Sequence, residues 1–95
     1  MTAQTPVRRE RIVFTGRVQG VGFRYTTNSI ARRYPIGGFV RNQPDGTVEV
    51  IVQGETAAIN AFLADIAHHF RGNISHTDRT PLAACDQFAE FEVRF

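Results

Sequence analysis

The sequence predicts an α+β fold in which two helices pack on one face of an antiparallel sheet of four or five strands. Two segments have apolar residues at helical spacing, and several others alternate apolar and polar residues as strands do. Turns that contain Gly or Pro separate these segments. At 95 residues the chain has the length of one domain. We assign residues 1–8 to a flexible N-terminal tail and residues 9–95 to a single domain.

The first half of the chain predicts a strand, a loop and a helix. Ile12, Val13 and Phe14 are strong β-formers, so we expect a strand over about residues 10–17. A glycine loop, residues 16–22, follows this strand. From Phe23 onward apolar residues recur at helical spacing, and Pro35 ends that helix. These residues are Phe23, Thr27, Ile30, Ala31 and Tyr34.

The second half predicts a hairpin, a helix and closing strands. Residues 39–42 form a short strand, residues 43–46 have turn chemistry, and an alternating strand returns over residues 48–52. The next helix begins at Glu55 or Thr56 and ends at Gly72. Its apolar stripe is the clearest helical pattern in the chain and consists of Ile59, Phe62, Leu63, Ile66 and Phe70.

The end of the chain completes the order of elements. Residues 73–80 are compatible with a short polar strand, and residues 88–95 alternate well. In that last segment Ala89, Phe91, Val93 and Phe95 share one face. The order βαββαβ, with one extra strand late, is the ferredoxin-like pattern.

Composition and charge narrow the class of protein. Hydrophobic residues make up 42% of the chain, and no apolar run approaches the about 20 residues that cross a bilayer. The single Cys85 cannot form an intrachain disulfide, and no secretory signal is apparent, so we expect a cytoplasmic protein. The net charge of +2 does not demand nucleic acid. All eleven basic residues are Arg, which suits an anionic partner, although a bias in genome composition explains the absence of Lys as well.

The histidines do not form a recognisable metal site. His68 and His69 are adjacent on one predicted helix, so they project about 100° apart and do not chelate one ion together. With His76 and Cys85 they show no ligand spacing. We therefore expect no metal and no cofactor, and no nucleic acid or membrane as partner.

The glycine loop is the most informative segment. It lies between a strand end and a helix start, where backbone N–H groups can surround an anion and the helix N-terminus adds partial positive charge. Arg24, at the junction with the helix, can place its guanidinium over the same anion. No Lys-Ser/Thr pair follows the glycines, as a Walker A loop requires. From these residues alone, a plain connector remains an alternative.

Two longer motifs resemble the signatures of the acylphosphatase family. The first reads GRVQGVGFR over residues 16–24, and the second reads GFVRNQPDGTVE over residues 38–49. With the helix and strand pattern, the resemblance covers about residues 10–70, and residues 91–95 look like the family's last strand. It implies a ferredoxin-like sandwich and hydrolysis of acyl phosphates to a carboxylate and inorganic phosphate without a metal.

The resemblance also implies roles for individual residues. Arg24 matches the Arg that binds the phosphoryl group, and Asn42 matches the Asn that positions the attacking water. The phosphate cradle matches Gln19, Gly20, Val21, Gly22 and Phe23 together with Arg24, acting mainly through backbone N–H groups. Residues 71–78 depart from the family pattern, which leaves the register of the fourth strand open. A small enzyme of this kind can work as a monomer.

Two other functions compete with this interpretation. A non-catalytic phosphate-binding or interaction module on the same fold stays open, because a fold alone does not name a function. RNA recognition is a weaker alternative, because Gly37 and Asn42 stand where an RNA-recognition motif needs stacking aromatic residues.

Overall fold

A computed structural model describes residues 7–84 and 90–95 as five strands and two helices. In chain order the elements are β1 (Val7–Gly16), α1 (Phe23–Ala31), β2 (Gly37–Asn42), β3 (Val48–Glu55), α2 (Thr56–His69), β4 (Ile74–Leu82) and β5 (Phe91–Arg94). The strands form one sheet in the order β4-β1-β3-β2-β5, antiparallel except for the β2–β5 pair. The predicted ferredoxin-like fold is confirmed, and the sheet has five strands, within the predicted four or five.

The core lies between the two helices and one face of the sheet. Val50 of the central strand β3 pairs with Ile12 on one side and Val40 on the other, and all three side chains are buried. The predicted stripe of α2 contributes Ile59, Phe62, Leu63 and Ile66 to the same cluster. Phe70, one residue beyond α2, stacks on Phe23 at the start of α1. The glycine loop therefore leads into a helix whose first residue is fixed in the core.

Helix α1 is shorter than the sequence predicted. It ends at Ala31, and the backbone N–H groups of Arg33 and Tyr34 bond the carbonyl oxygens three residues earlier. The final turn is therefore tightened, as is common where a helix ends before a proline. The Tyr34 hydroxyl donates to the Asp65 carboxylate of α2, which ties this turn to the second helix.

The termini of the sheet require two corrections. Val7 and Arg8, which we assigned to the tail, begin β1 and pair with Glu55 and Gly54 of β3. The reason is that β3 extends to Glu55 and offers β1 a longer ladder than the apolar pattern indicated. The last strand, predicted to run to Phe95, ends at Arg94, and Phe95 lies beyond it with its side chain exposed. The rest of the predicted tail and the start of the predicted last strand lie outside the described residues, in residues 1–6 and 85–89.

The polar strand expected over residues 73–80 is present as β4. It pairs antiparallel with β1, and the register shifts between Thr15 and Gly16. A Cβ at Gly16 would lie 2.2 Å from the carbonyl oxygen of Asn73, so only glycine allows this close approach. The end of β1 is thereby fixed where the glycine loop begins.

The face of the sheet opposite the helices has an ion-pair cluster. Glu49 is buried between Arg11 and Arg41, and each guanidinium Nε lies 2.6 Å from a Glu49 carboxylate oxygen. Arg41 projects from the face opposite Asn42, because successive side chains of a strand alternate between its faces, and it is exposed. Burial opposes ionisation of Glu49, but the hydrogen bonds from the two arginines outweigh it, so the pKa of Glu49 is lowered.

Candidate active site

The glycine loop is held at both ends by buried side chains. Val18 is fully buried on one side and Phe23 is nearly so on the other, whereas Gly20, Val21 and Gly22 between them are exposed. Phe23 contacts Phe14 and Phe70, with ring centroids 5.2 and 4.4 Å apart. The backbone between the two anchors is therefore fixed at its ends and open to a ligand in its middle.

Two glycines give this segment its shape. Gly20 and Gly22 both have φ of +76°, in the left-handed region that favours glycine. Gly22 is the N-cap of α1, and no side chain caps the first turn of that helix. Its first N–H groups lack intrahelical partners and carry partial positive charge, which suits an anion. This geometry agrees with the anion-binding interpretation of the glycine loop.

Arg24 lies in the first turn of α1 and reaches the end of β5. One terminal nitrogen, Nη1, donates to the carbonyl oxygen of Arg94 over 3.2 Å. The guanidinium carbon lies 4.5 Å from the centroid of the Phe95 ring, within the range of a cation–π contact. The motif placed Arg24 correctly at the helix start, but no sequence pattern indicated these contacts, which join residues about seventy positions apart.

Asn42 is the last residue of β2 and pairs with Val48 across the hairpin. Its Oδ1 atom is buried and has no hydrogen-bond partner among the residues that the structure describes. A buried acceptor without a partner is uncommon in folded proteins, and one explanation is a ligand or an ordered water. Asn42 thus presents a free amide oxygen at the end of β2, where it lines a cavity with residues of the glycine loop.

One small cavity brings the predicted residues together. It has a volume of about 100 Å³ and is lined by Val18, Gly20, Gly22, Phe23, Arg24, Tyr25 and Asn42. A cavity of ~10–15 Å³ holds one water, so this cavity has room for several small groups. Arg24 and Asn42 therefore face one space, together with Gly20, Gly22 and Phe23 of the predicted cradle. A larger, more open groove of about 380 Å³ lies between the two helices and contains neither Arg24 nor Asn42.

Gln19 and Val21 of the predicted cradle do not line this cavity. Val21 is exposed beside it, and the Gln19 side chain instead bonds the turn between β2 and β3. The motif predicts a role for the backbone N–H groups of this loop, and it does not predict the hydrogen bonds of the Gln19 side chain. No local pattern of the sequence indicates this contact, because it joins residues 24 and 28 positions apart.

The turn between β2 and β3, residues 43–47, has the geometry that its sequence predicts. The Asp45 carboxylate accepts from the hydroxyl and the backbone N–H of Thr47, at 2.6 and 3.0 Å. The hydroxyl bond is the larger of these effects, and together they lower the pKa of Asp45. Asp45 is a turn residue, as predicted.

The structure gives two further observations on partners. Within residues 7–84 and 90–95, no group of three or more His, Cys, Asp or Glu side chains is placed to hold a metal ion. Neither of the described helices has the length and apolar character that a membrane crossing requires.

Comparison with known proteins identifies the family. A family model described as acylphosphatase matches residues 10–93. The chain belongs to the acylphosphatase family. The acylphosphatase of Lactobacillus gasseri is 40% identical over 81 residues, which cover 83% of this chain and 89% of the relative. The acylphosphatase of Bifidobacterium longum is 43% identical over 88 residues, which cover 90% and 91%.

The solved structures agree with the sequence relatives. The crystal structure of acylphosphatase from Bacillus subtilis matches with a TM-score of 0.82 at 27% identity, covering 93% of this chain and 99% of that one. The family resemblance expected from the two motifs is thus confirmed. Family, fold and named relatives together support acylphosphatase activity, which is that of a hydrolase.

Proposed function

We propose that this chain hydrolyses acyl phosphates by attack of water on phosphorus, with Arg24 and the amides of the glycine loop holding the phosphoryl group and Asn42 positioning the water. The observation that supports this most is the shared cavity, in which Arg24, Asn42 and the loop backbone face one another. The substrate is a small acyl phosphate, and the products are a carboxylate and inorganic phosphate.

The chemistry needs few groups. The water oxygen forms a bond to phosphorus, the bond from phosphorus to the acyl oxygen breaks, and the carboxylate leaves with the electron pair. A carboxylic acid has a pKa of about 4, so the leaving group departs without a proton from the enzyme. A phosphoryl oxygen takes the proton that the water loses. The protein then has to supply positioning and charge stabilisation, which dominate phosphoryl transfer.

Arg24 and the loop provide the positive field. A guanidinium has five N–H donors, and the described contacts use one of them on the carbonyl of Arg94. The others can bind phosphoryl oxygens in the planar geometry that suits phosphate. The unpaired N–H groups at the start of α1 add donors that are already oriented, in the way an oxyanion hole acts.

Asn42 supplies a neutral acceptor. An amide cannot take a proton at neutral pH, but its oxygen can accept a hydrogen bond from water and hold a lone pair of that water toward phosphorus. The buried Oδ1 of Asn42, without a partner among the described residues, is available for that bond. Asn42 therefore orients the nucleophile and is not a base.

The test is turnover of acetyl phosphate by the wild type in excess EDTA, compared with Arg24→Ala and Asn42→Ala. The wild type should hydrolyse the substrate because Arg24 and the loop supply the charge that a metal would otherwise supply. Arg24→Ala should lose turnover, and Asn42→Ala should lose kcat with KM nearly unchanged, because its contact is to the nucleophile. Asn60→Ala is the matched control and should leave kcat unchanged, because Asn60 lies away from the cavity and accepts a hydrogen bond from Arg79.

A wild type that binds phosphate but does not turn over would contradict the proposal. That result would favour the non-catalytic phosphate-binding module on the same fold.

We also propose that the enzyme works as a cytoplasmic monomer on a free small molecule, without nucleic acid or membrane as partner. Size-exclusion chromatography with light scattering tests the monomer.

A further inference from the structure

The side chain of Gln19 connects two segments that carry different parts of the candidate site. Its Nε2 donates to the carbonyl oxygens of Gln43 and Thr47, over 2.8 and 2.9 Å. Gln19 belongs to the glycine loop, whereas Gln43 and Thr47 open and close the turn between β2 and β3. One amide group therefore joins the two segments with both of its protons.

The turn that receives these bonds is itself tightly bonded. The Gln43 carbonyl also accepts from the N–H of Gly46, and the Thr47 carbonyl also accepts from the N–H of Gln43. The Thr47 hydroxyl contacts the side chains of both Gln43 and Asp45. The turn is thus held in one shape, and the Gln19 amide attaches the glycine loop to that shape.

Asn42 immediately precedes this turn and pairs with Val48 just beyond it. Because no described residue bonds its Oδ1, the position of the Asn42 amide oxygen depends on where the backbone of the hairpin lies. The bonds from Gln19 fix that backbone relative to the glycine loop, which leads into Arg24. These bonds therefore set the distance between a phosphoryl group bound by Arg24 and the loop and a water bound by Asn42.

We propose that Gln19 is a positioning residue, whose side chain sets the spacing between the phosphate-binding loop with Arg24 and the water-positioning Asn42. The inference rests on the proposed function, since it assigns those two roles to the two segments. A primary amide suits the task because it donates two hydrogen bonds from one nitrogen while carrying no charge. A thioether donates none, and a carboxylate would face two carbonyl oxygens with negative charge.

The first test measures acetyl phosphate kinetics for Gln19→Met, which keeps the length of the side chain and removes both donors. We expect kcat to fall by roughly ten- to a hundredfold, since a displacement of about 1 Å between reacting groups has an effect of that size. KM and the affinity for inorganic phosphate should change by less than about twofold, because Arg24 and the loop amides remain together on one segment. Circular dichroism and the number of phosphate-binding sites per chain must also match the wild type, because an unfolded fraction lowers the apparent kcat without changing KM.

The second test combines the substitution with Asn42→Ala. If Gln19 acts through Asn42, then Gln19→Met should have less than about a twofold effect on kcat when Asn42 is already truncated. Equal fold-losses in the two backgrounds would overturn the proposal. A parallel loss of phosphate affinity and kcat would also overturn it, because Gln19 would then shape the loop itself.

The chain offers a matched control on the other side of the same loop. The Asn73 side-chain amide donates to the carbonyl oxygen of Arg17 over 3.0 Å, and Asn73 belongs to the turn between α2 and β4. Asn73→Asp should leave kcat within about twofold, whereas Gln19→Glu, the same chemical change, should lower it as Gln19→Met does. Comparable losses in both carboxylate variants would contradict a specific role for Gln19.

The two proposals fail in different ways. If wild-type protein does not hydrolyse acetyl phosphate, the proposed function is wrong. If the wild type is active and Gln19→Met keeps its kcat while remaining folded by circular dichroism, only the positioning role is wrong.

Discussion

Arg24 belongs to a loop motif, lies at the N-terminus of a helix and contacts residues about seventy positions later in the chain. Its position at the start of α1 follows from the glycine loop, and its guanidinium contacts the Arg94 carbonyl and the Phe95 ring. This arrangement presents a planar fork in one orientation. The shape of the guanidinium should therefore matter as much as its charge.

We predict that Arg24→Lys will not restore the activity lost in Arg24→Ala. An ammonium is a compact point charge that cannot form two parallel hydrogen bonds to a phosphoryl group or stack on Phe95 in the same way. The measurement is kcat/KM for acetyl phosphate in the three proteins, and the Lys variant should lose at least about a hundredfold. A value near that of the wild type would remove Arg24 from its assigned role.

Individual residues differ in how far the sequence predicted them. Arg24 and Asn42 were identified because each lies in a long motif at a strand or helix end, and the structure brings both to one cavity. The contacts of Gln19 with the β2–β3 turn, and of Arg24 with Arg94, join residues far apart in the chain. Such contacts depend on how strands are ordered in the sheet, which no local pattern specifies.

At the scale of elements, the junction between β1 and α1 depends on backbone conformation. Gly22, with φ of +76°, is the N-cap of α1, and a Cβ added there would meet no atom within 4 Å. The effect of substituting it is therefore conformational strain and not a clash. Gly72, by contrast, has no positive φ and is equally open.

We predict that Gly22→Ala lowers the free energy of unfolding by about 1–2 kcal/mol, the cost of left-handed conformation for a residue with a side chain. Gly72→Ala should be neutral or stabilise by up to about 1 kcal/mol, because alanine restricts the unfolded chain. Urea unfolding of the two variants beside the wild type makes the comparison. Equal effects at both positions would mean that the loop does not require its left-handed glycine.

The ion pairs of Glu49, on the face of the sheet opposite the helices, predict that the free energy of unfolding depends on pH. The pKa of Glu49 is lowered, so its ion pairs stabilise the native state at pH above the unfolded value of about 4.3. That contribution is lost as the pH falls through the lower folded pKa. Glu49→Gln should therefore cost about 1–3 kcal/mol at pH 7 and progressively less as the pH falls below about 4.

The control for Glu49 is Glu92→Gln, since Glu92 pairs with Arg94 at an exposed position. Its effect should be below about 1 kcal/mol at every pH. Denaturant unfolding between pH 3 and 7 gives both profiles. A loss of stability in Glu49→Gln that is independent of pH would show that the carboxylate charge is not what stabilises the sheet.

The elements themselves were largely predictable, and their ends were not. The α2 stripe and the alternating valines of β3 are strong patterns, and the structure buries both in the core. The residues between those valines are buried as well, which the alternation did not indicate. The start of β1 at Val7 and the shift of register at Gly16 depend on pairing with β3 and β4. Ladder partners decide where a strand ends, so residues such as Arg8 carry no local sign of it.

At the scale of the whole molecule, ligand binding and folding should be linked. The proposed phosphate site needs the glycine loop, the start of α1 and the end of β5 in their folded positions, so we expect phosphate to bind the native state alone. Phosphate at about 100 times its Kd would then add about 2.7 kcal/mol of stability. For a domain of this size, each kcal/mol corresponds to about 4–8 °C in melting temperature.

Phosphate also stabilises proteins in general by exclusion from their surfaces. Measuring the melting temperature over a phosphate titration, for the wild type and for Arg24→Ala, separates binding at the site from this general effect. The wild type should show saturable stabilisation, and the variant should show only the weak, linear effect. Identical curves would mean that the glycine loop is a connector and not a phosphate site.

In the proposed reaction water attacks phosphorus, and the acyl carbon does not react. Hydrolysis of acetyl phosphate in H₂¹⁸O, with mass spectrometry of both products, tests it directly. Attack at phosphorus places the label in inorganic phosphate and leaves acetate unlabelled, and this is the predicted result for the wild-type enzyme. Label in the acetate would mean attack at the carbonyl carbon, and it would contradict the roles given to Arg24 and Asn42.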